Sequence, residues 1–213
     1  MAVSDIDIAN LAFDKIGTQP IVSFTDVNTR AQLANRNYAM LRDKLQRTTR
    51  WNFTRTYARL AASVAVPPFE YLYAYPFPDD LLRLEIASSS LGGGYPQGVS
   101  MPGVSTGDFN NSRNQDYRIV GKEIWSNLPP PLSIIYARRV TDPNMFDSAF
   151  VDAFASYLAQ EWCMQLTDSG PKKQMLMQEY RQSLLEAISS KSVELPPEII
   201  PDDSWMLSRI GGG

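Results

Sequence analysis

Apolar residues at Ile8, Leu11, Ala12 and Ile16 recur at spacings of three and four behind Ser4, with Asp7 three residues after that serine and Gly17 just past the run. A capping box at one end and a glycine cap at the other predict a helix over 5–16. After a loop containing Pro20, the positions Ala31, Ala34, Tyr38, Leu41 and Leu45 repeat the same spacing. They fall within a sector of roughly 80° on a helix that turns ~100° per residue, which predicts a second amphipathic helix. Arg36, Lys44 and Arg47 lie roughly on its opposite face.

From Trp51 the period changes to two, through Trp51 and Phe53 and then Tyr71, Tyr73, Tyr75 and Phe77, as the pleat of a strand requires. Pro76, Pro78, Asp79 and Asp80 predict a turn, and Leu81 to Ile86 a returning strand. Residues 88–116 hold six of the twelve glycines and almost no core-forming side chain, so this reads as one long loop. Tyr117 to Val120, the Gly121-Lys122 pair and Glu123 to Trp125 predict a tight hairpin. Leu132 to Arg138 predicts one further strand.

Asp142-Pro143 ends the alternation. A strongly apolar helix follows from Asp147 to about Leu166, carrying Phe150, Phe154, Tyr157, Leu158 and Trp162, and is expected at the centre of the core. Glu161 falls on that apolar face and is expected in a buried ion pair, since a buried lone carboxylate costs several kcal/mol, on the order of 3–5. Gly170-Pro171 interrupts the pattern, and Leu176, Tyr180, Leu184 and Ile188 predict a last helix near 172–190, antiparallel to the one before. The remainder carries Pro196, Pro197 and Pro201, which oppose regular structure. Its Ile199, Ile200, Trp205, Met206, Leu207 and Ile210 are too apolar for a free end, so it reads as an extended docking tail.

The element order of two helices, a β-region and two more helices predicts an α+β fold. Residues 1–50 and 142–191 would form an antiparallel helical bundle, 51–141 an inserted antiparallel β-region, and 192–213 the tail. The 213 residues suffice for a sizeable core. Absence of histidine, together with a single cysteine, Cys163, removes His-based nucleophile pairs and Cys/His metal sites, so no cofactor is expected. Residues 1–10 show neither a basic nor an apolar segment of the export type, and no apolar run approaches the length of a membrane span. The chain is therefore read as non-membrane, in a reducing compartment.

The net charge of −3 is unevenly spread. Arg30, Arg36, Arg42, Lys44, Arg47, Arg50, Arg55 and Arg59 face a single acid, Asp43, between residues 30 and 59, leaving twelve cations and twenty-two anions elsewhere. Such a segment is a solvated face, a surface for an anionic partner, or half of an intersubunit match. Trp51, Phe53 and Tyr57 interleave with it, as in proteins that stack nucleic-acid bases, although alternation sends the first two towards the core. Gly92-Gly93-Gly94 lacks the Lys-Ser/Thr and the helix that a phosphate loop needs. Asp79-Asp80 and Asp202-Asp203 are the acid pairs a hydrolase would use, but the first suits a turn and the second lies in the Pro-rich tail. Cys163 reads as a small core hydrophobe.

The pattern as a whole resembles the head-to-tail adaptors of tailed bacteriophages, in particular the tail tubular protein A type of short-tailed phages. The residues that carry it are Ala9 to Gly17 with Pro20-Ile21, Tyr38 to Asp43, Trp51-Asn52-Phe53, Tyr75 to Leu84, Tyr136 to Pro143, Phe146-Asp147, Phe150 to Ala153, Leu158-Ala159, and Ser204-Trp205 with Arg209. The resemblance implies a non-enzymatic virion protein, assembled in the host cytoplasm. Twelve copies in such assemblies form a ring beneath the portal protein and join it to the tail nozzle protein around the DNA path. In that picture Arg30, Arg36, Arg42, Lys44 and Arg47 face the DNA channel or an acidic neighbour, with non-specific contact to genomic DNA. The β-region touches the nozzle or the next subunit, and the tail docks on the portal or an adjacent copy. The competing readings are a DNA-binding protein built on the 30–59 segment and a tail-associated carboxylate hydrolase.

Overall fold

A computed structural model describes residues 3–88 and 117–194, and the fold is α+β. Helices α1 (Asp5–Ile16) and α2 (Thr29–Thr48) lead into strands β1 (Arg55–Leu60), β2 (Tyr73–Pro76), β3 (Leu81–Ser88), β4 (Tyr117–Val120), β5 (Glu123–Ser126) and β6 (Leu132–Arg138). Helices α3 (Ser148–Thr167) and α4 (Gly170–Glu194) follow.

The predicted capping box of α1 is formed. Asp7 N–H donates to Ser4 Oγ at 3.1 Å and Ser4 N–H to Asp7 Oδ2 at 2.9 Å, so two N–H groups that the first turn leaves open are satisfied. Gly17 ends the helix at φ 76, the left-handed conformation that costs glycine no steric strain. Asn28 caps α2 by accepting from Ala31 N–H at 2.8 Å, and Asp147 caps α3.

Helix α3 is the axis of the bundle. Ile8, Phe13 and Ile16 of α1, Tyr38, Leu41 and Leu45 of α2 and Leu176 of α4 share one buried cluster with its Phe150, Phe154, Leu158 and Trp162. Burying each such Phe, Leu or Ile contributes about 1.5–3 kcal/mol. The rings pack specifically, with Phe13 stacked on Trp162 at 5.1 Å and Tyr157 against Tyr180 at 5.0 Å. Lys15 ties three helices together, reaching Asp152 at 3.1 Å and Glu179 at 2.5 Å.

Two three-stranded antiparallel sheets make up the β-region, in the orders β1-β6-β3 and β2-β5-β4. Tyr75 and Ile124 of the second share a buried cluster with Ala87, Leu132, Ile134 and Tyr136 of the first. In the β4–β5 hairpin Gly121, at φ 60, supplies the positive φ that a two-residue turn requires. Strand β6 spans the residues predicted for it and is buried along both faces.

Sequence and structure differ at several places. Trp51 and Phe53 do not start a strand: residues 52–54 form a 3-10 turn, and the two rings join the helical core against Phe150 at 4.9 and 5.0 Å. Two aromatic residues spaced two apart over three positions are too short a run to define a strand, and both rings find partners on α3 instead. Strand β2 covers only part of the Tyr71 to Phe77 alternation. Gly170 and Pro171 open α4 rather than separating the helices; Asp168, in the left-handed region at φ 48, makes the break. Ile188 is exposed, and Ala187 takes its place in the core. Ser88, the first residue of the expected 88–116 loop, ends β3, and α4 runs to Glu194, three residues into the expected 192–213 tail; the rest of the loop and of the tail lies outside the described residues.

Candidate interaction surface

The amphipathic winding of α2 sets its core face against α3 and leaves Arg36, Lys44 and Arg47 exposed in one stripe. Lys44 Nζ lies 5.4 Å over the Tyr157 ring. Its ammonium is held above the ordinary lysine pKa chiefly by the Tyr157 side chain, with Glu161 and Tyr180 adding to the effect. These residues line a shallow groove of about 230 Å³. Arg36 reaches Gln165 on α3 only at 3.5 Å.

At the C-terminus of α2 the surface continues onto the sheet. Arg83 of β3 donates through Nη1 to the Arg47 carbonyl at 2.6 Å and to the Thr48 carbonyl at 3.3 Å. A cation there satisfies open carbonyls and opposes the negative end of the helix dipole. The same guanidinium donates to Glu85 at 3.0 Å. Glu85 is almost buried and also lies 3.6 Å from Arg55 and 3.8 Å from Arg50, so one carboxylate serves three guanidinium groups and the cluster keeps an excess of positive charge. The pleat of edge strand β1 turns Arg55, Tyr57 and Arg59 outwards, with Arg55 5.9 Å over the Tyr57 ring. Beside them runs a groove of about 280 Å³ lined by Tyr57, Ala58, Arg59, Ser133 and Ile134.

Not every basic residue of the 30–59 segment belongs to this surface. Arg42 is buried, its Nε and Nη2 donating to Asp43 at 3.1 and 2.9 Å, so it does not take the outward-facing place expected for it. At ~100° per residue Arg42 falls more than 100° from the Arg36 stripe, on the same side of α2 as Gln46, which bonds Val140 just beyond β6. Arg30 is half-buried at the start of α2. Glu161 also departs from expectation: it is half-buried, at the rim of the Lys44 groove, and makes no salt bridge with a described residue. It sits at the edge of the packed arc of α3, so water reaches it and no buried partner is required.

Of the acid pair at 79–80, Asp79 is exposed, whereas Asp80 accepts from Tyr136 Oη at 3.0 Å and its carbonyl accepts from Arg139 N–H at 2.7 Å. Cys163 is buried, its thiol 3.4 Å from Thr167 Oγ1. The tail residues Ile199, Ile200, Trp205, Met206, Leu207 and Ile210 lie outside the described residues. Sequence reasoning missed Arg83 and Glu85 as organisers of the basic cluster, because about thirty positions separate them from the arginines they hold. Among the described residues no helix is long and apolar enough to cross a membrane, and no group of three acidic or Cys residues could hold a metal ion. No protein-family model matches the chain, and no curated protein matches it significantly.

Proposed function

We propose that the chain is a head-to-tail adaptor subunit of a tailed-phage virion, one member of a ring that joins the portal to the tail nozzle around the DNA path. The observation that carries this reading is where the residues of the family resemblance fall. They pair with one another: Asn10 with Ile21, through bonds of 2.8 and 3.0 Å, Asp43 with Arg139, Trp51 with Phe150, Phe53 with Phe146, and Asp80 with Tyr136. These contacts are the joints of the scaffold. A likeness concentrated there is one of architecture, which suits a protein whose work is to hold a shape between two partners. The basic surface from Lys44 to Arg59 then serves an acidic neighbour or the DNA, and repetition of one heterologous contact closes the ring.

Co-sedimentation of the purified chain with its portal ring, at low and moderate salt, tests the reading. Capture as a discrete ring complex supports it; failure at both salts overturns it. A second reading, DNA binding, is favoured by the exposed Arg55-Tyr57-Arg59 alternation, where cations flank a ring able to stack on a base. It requires affinity for duplex or single-stranded DNA that falls steeply with salt and drops when Arg47, Arg55 and Arg59 become Ala.

A further inference from the structure

The two faces of the sheet β1-β6-β3 differ in character. One carries Leu132, Ile134, Tyr136 and Ala87 and packs on Tyr75 and Ile124 of the second sheet. Residues opposite one another in an antiparallel pair point to the same side, so the register fixes what the other face holds. Arg55 lies opposite Ala137, and Ala137 opposite Arg83. Tyr57 lies opposite Ile135, and Ile135 opposite Ile86. Arg59 lies opposite Ser133, and Ser133 opposite Ser88, the last described residue of β3. A row holding a ring and two isoleucines therefore runs between a row with an arginine at each edge and a row led by a third arginine. Tyr57 is 68% exposed and Ile86 37%, with Ile135 buried between them, so the ring stands at the rim of an apolar strip. Glu85 ties the two guanidinium groups of the first row together, 3.6 Å from Arg55 and 3.0 Å from Arg83, and leaves them a net positive charge. The first two rows lie away from the end of the sheet where the chain runs on to residue 89.

We infer that this face binds single-stranded nucleic acid, one base stacking on Tyr57 while Arg55 and Arg59 take the phosphates on either side of it. The inference rests on the DNA-binding reading above and deepens it by naming the form of the strand. Successive rows are about 6.6–6.8 Å apart, so each arginine flanks the ring within reach of a neighbouring phosphate. A ring stacks only on a base whose face is open, and in a duplex those faces are covered by the neighbouring base pairs. A duplex would use the arginines and leave the ring idle. An acidic peptide would likewise engage only the cations, since it brings no flat group to cover the strip formed by Tyr57, Ile135 and Ile86. The groove of about 280 Å³ beside Tyr57, with Ser133 in its wall, has room for the edge of one base.

The test is fluorescence anisotropy of the full chain with labelled oligo(dT), and with its duplex with oligo(dA), at one fixed salt. The single strand should bind at least tenfold more tightly than the duplex. Tyr57→Ala should weaken single-strand binding about tenfold and leave duplex binding within twofold, whereas Tyr57→Phe, which keeps the ring, should bind as the parent does. Arg59→Ala should weaken both and flatten the salt dependence. Tyr57 and Arg59 are exposed, so these variants do not disturb the core. Lys122→Ala, which removes an exposed cation from the β4–β5 turn, should change neither affinity. Equal affinity for strand and duplex, or indifference of the single strand to Tyr57→Ala, overturns the inference and leaves the DNA-binding reading standing. Displacement of oligo(dT) by poly-glutamate at equal charge gives the face to an acidic peptide and also overturns it. No binding to either form of DNA removes the inference and the DNA-binding reading together.

Discussion

Asp43 holds two arginines from different parts of the chain. Its Oδ2 accepts from Arg139 Nε at 2.7 Å and its Oδ1 from Arg42, so the carboxylate fastens α2 to the exit of β6 and neutralises a buried guanidinium. Asp43→Ala should lower stability by about 2 kcal/mol, less than a fully buried pair because water reaches the site. Arg139→Ala, at the exposed end, should cost about 0.5 kcal/mol. Urea unfolding of both variants checks the order, and equal losses would show that Arg42 does not need its partner.

Three residues further along α2, Gln46 clips the same exit. Its Nε2 donates to the Val140 carbonyl at 2.8 Å and its Oε1 accepts from Val140 N–H at 3.0 Å, all within the core. Gln46→Leu keeps the bulk but strands both backbone groups, so a loss of about 2–4 kcal/mol is expected from the two orphaned partners. Chemical denaturation reads it directly.

Lys15 gives the bundle a dependence on alkaline pH. Burial pulls its pKa down, yet Glu179 and Asp152 outweigh burial and hold the ammonium above the ordinary 10.5. The sign follows: the stabilisation is complete below pH 10.5 and is lost as pH rises through the raised value. The Tm of Lys15→Met should therefore fall less steeply between pH 9 and about 12 than that of the parent.

Tyr136 behaves alike in the β-region. Burial first, and then its bond to Asp80, push the phenol up to about 12. The folded state favours the neutral phenol, so this contribution is present below pH 10 and declines as pH approaches 12. Difference absorbance titration against Tyr136→Phe should show the late step, and Asp80→Asn should move it to lower pH.

Local signals made much of the fold legible. The Ser4 and Gly17 caps bound α1, Gly121 marks the hairpin, and β6 reads as a run of apolar residues between a proline cluster and Arg139. The joints were not legible, because Asp43 and Gln46 meet partners about ninety-five positions away and polar residues on a helix give no sign of which strand will face them. The basic surface was half visible. Charge counting finds Arg47, Arg55 and Arg59, but only the folded chain shows that Arg42 turns inwards and that Glu85 gathers the arginines at the sheet. Trp51 and Phe53 show the converse, a true core signal assigned to the wrong element.

The bundle is made from the two ends of the chain, and this has a consequence for its birth on the ribosome. Helices α1 and α2 emerge first, but the surface that Phe13 and Leu45 need belongs to α3, roughly 100 residues later, which is ~5–20 s at ordinary elongation rates. During that interval the β-region can form its own cluster while the leading helices wait uncovered. The last step of folding is then closure of the N-terminal helices onto a freshly made C-terminal pair, so a nascent chain halted before α3 should be held by chaperones through its first fifty residues.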